Sequence, residues 1–217
     1  MMKHEKKCNG ALGTCLAVAL STSWFSLGFV GCAASIEPAS PDAVVAVDAD
    51  LSMDAPATGA FRTGRNSDGT WTTIVDATSA DVWIHGDFIT GVSTESTARW
   101  SIRFQRFHMS VNGGVTGDAG VEVVPLDGVA FADVRVAPAA GWTTDTPDGP
   151  DDNTRVDYGF ETAGGWYAYD VGTHVLTARN RVWLVRGRDL PLIKLEVQSY
   201  YDAAGTGGFV KLHWGAL

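Results

Sequence analysis

The chain has 217 residues, 45% of them apolar, with 16 basic against 25 acidic side chains and a formal net charge of −9. Phosphate backbones repel so acidic a chain, which excludes nucleic acid as a partner. Its three cysteines, Cys8, Cys15 and Cys32, all lie near the N-terminus, so the rest of the chain has no disulfide or thiolate chemistry, and a metal there must be bound through His, Met or carboxylate.

Taken in chain order, the sequence opens on the basic stretch MMKHEKK, followed by an apolar run over residues 11–30. The run ends Phe29-Val30-Gly31-Cys32, which reads as a bacterial lipobox: cleavage before Cys32 would leave that cysteine as a lipidated N-terminus. A diacylglycerol with an amide-linked acyl chain anchors firmly where one chain would not. The other reading of this segment is a retained membrane anchor, since about 20 residues span a bilayer. Either way the remainder is exported and tethered. Loss of residues 1–31 removes three lysines and one glutamate and leaves the mature chain more acidic still. Ala33 follows the cysteine where an aspartate would retain a lipoprotein at an inner membrane, which points to the outer membrane. Residues 32–60 are rich in Ala, Pro, Asp and Ser and contain no aromatic residue, the composition of a flexible tether. Residues 61–217 carry every tryptophan except Trp24 and form one domain long enough for a core of its own.

Within that domain the hydrophobic period is two. Ile193, Leu195 and Val197 alternate with Lys194, Glu196 and Gln198, and Val210, Leu212 and Trp214 with Phe209, Lys211 and His213. The glycine-bearing segment between them, residues 200–208, reads as a hairpin connection. Further strands are expected at residues 70–76, 81–88, 98–109, 121–124, 165–169 and 181–187. The best candidate for a helical turn lies near Phe131. The fold class expected is all-β, a single antiparallel domain.

The chain has no Gly-x-Ser-x-Gly elbow, His-Glu-x-x-His, Walker loop or Cys-x-x-Cys, and no nucleophile–base pair stands at a recognisable spacing. No enzyme is therefore expected. The glycine-rich run 112–118 lacks the Lys-Ser/Thr and helix of a phosphate cradle and reads as a turn. The acidic loop 145–153 offers oxygen ligands suited to calcium, but its spacing is not that of an EF-hand and two prolines break it, so it reads as a solvated loop. Of the four histidines beyond the leader, His85 and His213 read as structural. His108 stands at the end of Trp100-Ser101-Ile102-Arg103-Phe104-Gln105-Arg106-Phe107-His108-Met109. In one regular strand His108 would share the face of Trp100, Ile102 and Phe104, with Met109 on the other. Each is a donor that suits iron. His174 lies in a Gly-Thr loop just after the aromatic segment Trp166-Tyr167-Ala168-Tyr169.

Trp100-Ser101-Ile102-Arg103-Phe104-Gln105-Arg106 resembles the Trp-Asp-Ile-Ala-Phe strand of the HmuY-like haem-binding lipoproteins, and residues 112–117 resemble the glycine-rich turn that follows it. Trp166-Tyr167-Ala168-Tyr169-Asp170 and Arg181-Val182-Trp183-Leu184-Val185-Arg186 are similar to that family's Trp-Tyr segment and its aromatic-Val-Arg strand. Lys194-Leu195-Glu196-Val197-Gln198-Ser199-Tyr200-Tyr201 is similar to its Lys-Leu-x-x-x-Ser-Tyr-Tyr. The resemblance implies an all-β, lipid-anchored protein of haem or iron acquisition, with haem held between two axial side chains and an outer-membrane haem receptor as a partner. It implies His174 as one iron ligand and His108 or Met109 as the other, with Tyr167 and Tyr169 packed on the porphyrin. Arg103, Arg106 and Arg179 are its candidate propionate partners. The competing expectation is a surface module on the same scaffold without haem, binding carbohydrate or protein through exposed aromatic residues.

Overall fold

A computed structural model describes residues 60–89, 91–150 and 155–217. The chain divides into two compact units, 1–44 and 45–217; the first lies wholly outside the described residues, as do the expected signal segment, Cys32 and all but the last residue of the expected tether.

The regular secondary structure of the described residues is almost entirely antiparallel β. A large sheet takes the spatial order β1 (Phe61–Arg65), β2 (Trp71–Asp76), β12 (Gly207–Ala216), β11 (Ile193–Tyr201), β10 (Arg181–Arg186) and β7 (Glu122–Asp127). A small sheet runs β4 (Thr94–Glu95), β3 (Ile84–Asp87), β5 (Ile102–Gln105) and β6 (His108–Val111), and β8 (Tyr167–Asp170) pairs with β9 (Val175–Ala178). Two 3-10 turns, Phe131–Asp133 and Gly159–Gly164, are the only helical elements among the described residues.

The core lies between the two larger sheets, where alternate residues of each strand meet. Ile102, Phe104 and Met109 of the small sheet join Leu195, Val210, Leu212 and Trp214 of the large sheet in one fully buried cluster. A second, smaller core covers the outer face of the large sheet, where Phe131 and Val134 pack on Val124, Val182 and Leu184. That cover buries Lys194, which periodicity alone assigns to solvent. Its ammonium donates to the carbonyls of Phe131 at 2.9 Å and Val134 at 3.1 Å.

Three expectations change. The run 98–109 is not one strand: it folds back at Arg106 and Phe107 into the β5–β6 hairpin, with Gln105 opposite His108 and Phe104 opposite Met109. Arg106 takes the left-handed φ of 53° that such a turn requires, held by its own amide on the Ala77 carbonyl at 2.8 Å. The turn reverses the expected facing, so that Met109 joins Ile102 and Phe104 in the core while His108 lies on the other face with Arg103. The acidic loop is not wholly solvated, because Asp145 at its start is buried. The glycine-rich turn closes over it: a side chain at Gly114 (φ 64°) would meet the Asp145 carbonyl at 1.8 Å.

Candidate functional site

β8 and β9 form a two-stranded hairpin. Asp170 turns the chain: its carboxylate accepts the amides of Gly172 at 2.8 Å and Thr173 at 3.0 Å, and these bonds hold its carboxyl below the ordinary range. His174 closes the turn with a left-handed φ of 59° and its amide on the Asp170 carbonyl at 2.8 Å. That geometry returns the imidazole toward β8, where Nδ1 meets the Tyr169 hydroxyl at 2.5 Å. Two bonds fix the hairpin to the domain. The Trp166 indole donates to the Phe107 carbonyl at 2.9 Å, and the Leu176 amide donates to the Tyr201 hydroxyl at 2.9 Å.

Between this hairpin, the β5–β6 turn and β11 lies a pocket of about 580 Å³. Tyr167, Tyr169, His174 and Leu176 form one wall, Tyr200 and Tyr201 another, and Arg106 and Phe107 a third. Its size lies within the usual range for a small-molecule or cofactor site, and its lining is mainly aromatic. Burial pushes the phenols of Tyr167 and Tyr200 upward, so both stay protonated near neutral pH and serve as packing surface and hydrogen-bond donors, not as anionic ligands. A second cavity of about 400 Å³, beside Trp100 and Arg188, has no His, Met or Tyr in its lining.

The structure thus brings His174, Tyr167 and Tyr169 together. His108 is not in the pocket lining. It stands behind it, its ring 4.2 Å from that of Phe107 and 5.6 Å from that of Tyr158, with a side chain 10% exposed. Its Nδ1 meets Glu161 Oε1 at 2.6 Å and its Nε2 meets Arg155 Nη1 at 2.5 Å. Met109 is fully buried in the main core, opposite Phe104 and away from His108. Of the three arginines, Arg106 reaches the pocket. Arg103 stacks on Trp83 and Trp100, and Arg179 donates to the carbonyls of Gly164 and Tyr167. Sequence reasoning misses Arg155, Glu161, Phe107, Leu176 and the wall made by Tyr200 and Tyr201. Tyr200-Tyr201 carried a signal, two adjacent aromatics at a strand end, where register shifts in β11 let both rings reach the pocket. Among the described residues no three His, Cys, Asp or Glu side chains cluster closely enough to hold a bare metal ion.

No protein-family model matches the chain, and no curated protein is similar to it in sequence. Solved structures do match. A candidate lipoprotein from Bacteroides fragilis is 19% identical with a TM-score of 0.55, covering 71% of this chain and 95% of its own. A candidate HmuY-like haem-binding protein from Bacteroides vulgatus is 18% identical with a TM-score of 0.54, covering 69% and 94%. An apo HmuY analogue from Tannerella forsythia is 14% identical with a TM-score of 0.52, covering 70% and 95%. The fold is therefore that of the HmuY-like proteins.

Proposed function

We propose that the protein is a lipid-anchored haem-binding protein that carries haem for iron acquisition and is not an enzyme. The observation that carries this reading is the rim of the tyrosine-walled pocket. There the Tyr169 hydroxyl shares a hydrogen bond with His174 Nδ1; when the ring donates that bond, its Nε2 lone pair faces outward, the arrangement in which a partner on one ring nitrogen orients the other toward a metal. The aromatic lining with a single imidazole suits haem better than a bare ion, since a porphyrin brings its own nitrogens and asks the protein only for single side chains. Haem, when bound, supplies the iron that the protein carries. His174 would hold the iron through its ring nitrogen. Tyr167, Tyr169 and Tyr201 offer flat surface to the macrocycle, and Arg106 is the cation placed to meet a propionate. Of the two expected second donors, His108 would have to leave its contacts with Glu161 and Arg155 to join the pocket, and Met109 would have to leave the core. An iron held by two side chains would have no position for substrate or oxygen, which is why this reading is of a carrier. Lipidation at Cys32 would tether the domain to a membrane, which the lipoprotein description of one structural neighbour supports; the outer membrane and a haem receptor there complete the proposal.

Titration with hemin tests the reading. A Soret band at the low-spin, six-coordinate position is expected at equimolar protein, and His174→Ala should change it. Absorbance of free hemin alone would favour a module for carbohydrate or protein partners, for which the exposed Tyr169, Val171 and Val175 at the hairpin tip provide the surface.

A further inference from the structure

The cavity of about 400 Å³ beside Trp100 shares no residue with the tyrosine-walled pocket. Its frame is stitched together by backbone bonds and one buried amide. Asn112 Nδ2 donates to the Trp100 carbonyl at 2.9 Å, and Asn112 Oδ1 accepts from the Ala119 amide at 3.3 Å. The Ala119 carbonyl in turn accepts from the Arg188 amide at 3.2 Å. Three separate segments are thereby fixed around one opening, so the shape exists before a ligand arrives. Trp100 is held as well. The Arg103 guanidinium lies 5.0 Å from its ring centre and the His85 ring meets it at 77° with centres 5.2 Å apart, while the indole stays half-buried in the cavity lining. Ser101 is the residue that points to a ligand. It is 2% exposed, and its hydroxyl makes no hydrogen bond with any described residue. Buried hydroxyls are ordinarily bonded. Among the described residues the only sealed side-chain polar atom without a partner is Trp183 Nε1, so the Ser101 hydroxyl opens on the cavity that Ser101 lines.

We propose that this cavity binds a neutral pyranose sugar, free or at the end of a glycan, with Trp100 packed on the ring and the Ser101 hydroxyl bonded to one of its hydroxyls. The charges at the opening select the class. Arg99 and Arg188 stand with Asp118 and Asp189, two of each sign, and all four are exposed. Asp87 pairs with Arg99 at 3.6 Å and leaves the group within one charge of neutral. So balanced a set makes no strong field to draw an ion, and exposed charge pairs are worth little. As fixed hydrogen-bonding groups the same side chains are well suited to hydroxyls. A guanidinium only donates, a carboxylate only accepts and a serine hydroxyl does both. Neighbouring sugar hydroxyls, each a donor and an acceptor, can use all three kinds at once. The apolar part of the lining, Ile89, Val121 and Leu190 with Trp100, suits the C–H face of the ring, which neither an inorganic anion nor a hydrated cation possesses. The site is independent of the haem reading and stands or falls without it.

The test titrates the full chain with a panel of free neutral monosaccharides and disaccharides, follows the Trp100 indole resonance by proton–nitrogen NMR, and adds a glycan array for chain ends. At least one saccharide is expected to shift that resonance saturably. One hydroxyl hydrogen bond is worth a factor of about five, so Ser101→Ala should weaken that saccharide about fivefold. The Ser101 hydroxyl has no partner in the protein, so the same variant should leave the urea midpoint unchanged, a split that a merely structural serine would not produce. Asp118→Asn, which keeps the size and removes the charge-assisted acceptor, should also weaken binding. Recognition of array glycans without free sugars would assign the end of a chain and support the site. Binding of no saccharide in either format overturns the proposal, and so does a saccharide held by Ser101→Ala and Asp118→Asn as tightly as by wild type. A shift of Trp100 by inorganic phosphate or a free amino acid, with none by any saccharide, overturns the class assigned to the cavity.

Discussion

Asp145 is 1% exposed although its loop is rich in Asp, Pro and Gly. Its carboxylate accepts from the hydroxyls of Ser110 at 2.6 Å and Thr116 at 2.7 Å and from the amides of Gly159 at 2.8 Å and Val111 at 3.2 Å. One side chain thus ties β6, which carries His108, to the glycine-rich turn and to the 3-10 turn that carries Glu161. Burial pushes its carboxyl above the ordinary value even though all four bonds pull the other way. The protonated form therefore gains most from folding: the stability Asp145 contributes is full below the ordinary carboxylate value and is lost as pH rises through the raised one. Asp145→Ala strands several buried donors and should cost about 3 kcal/mol in urea unfolding. Asp145→Asn keeps the shape and some acceptors and should cost less, and its stability relative to wild type should rise with pH across that window. A difference independent of pH would mean that Asp145 does not change its protonation on folding.

At the scale of elements, Arg181 does for β8 what Asp145 does for β6. It begins β10, its guanidinium is buried, and it forks onto Asp127 of β7 through Nε at 2.6 Å and Nη2 at 2.9 Å. Its remaining hydrogens go to the carbonyls of Gly165 at 2.6 Å, Ala163 at 3.0 Å and Thr162 at 3.5 Å, where the 3-10 turn runs into the pocket hairpin. A lysine cannot serve a carboxylate and two carbonyls from one planar fork. Arg181→Lys should therefore cost about 2 kcal/mol and loosen the hairpin, read as a lower urea midpoint together with weaker hemin binding. Asp127→Asn should cost less, because that carboxylate is largely in water. Alternating strands such as β11 and β12 were legible in the sequence because their period is local. The β5–β6 hairpin was not, since its turn is Arg106-Phe107 and no glycine or asparagine marks it; the Ala77 carbonyl holds the Arg106 amide there and the Thr78 carbonyl its guanidinium. β9 was missed because VLTA is short and half exposed, a strand only through its pairing with β8. The site was partly legible for the same reason. His174 and Tyr169 lie five residues apart on one hairpin, whereas the partners of His108 come from 47 and 53 residues away.

Across the whole molecule, stability is unevenly spread. The two larger sheets share one core, so they should unfold together. The β8–β9 pair has only two strands, an exposed tip at Val171 and Tyr169, and a few side-chain bonds to its surroundings. A two-stranded hairpin is marginal alone, so this one should open locally at a free energy well below that of global unfolding. A pocket walled by so weakly held a hairpin would suit the proposed carrier role, in which cargo enters and leaves without disturbing the core. Ligand that binds only the closed hairpin stabilises it by mass action, about 2.7 kcal/mol at a hundred times Kd. Hydrogen exchange should therefore find residues 167–178 among the fastest strand amides of the domain. Saturating hemin should slow them about a hundredfold while β2 and β12, already limited by global opening, gain no more than the ligand adds to the whole fold. Hemin that protects the large sheet and leaves residues 167–178 unchanged would place the cargo somewhere other than the tyrosine-walled pocket.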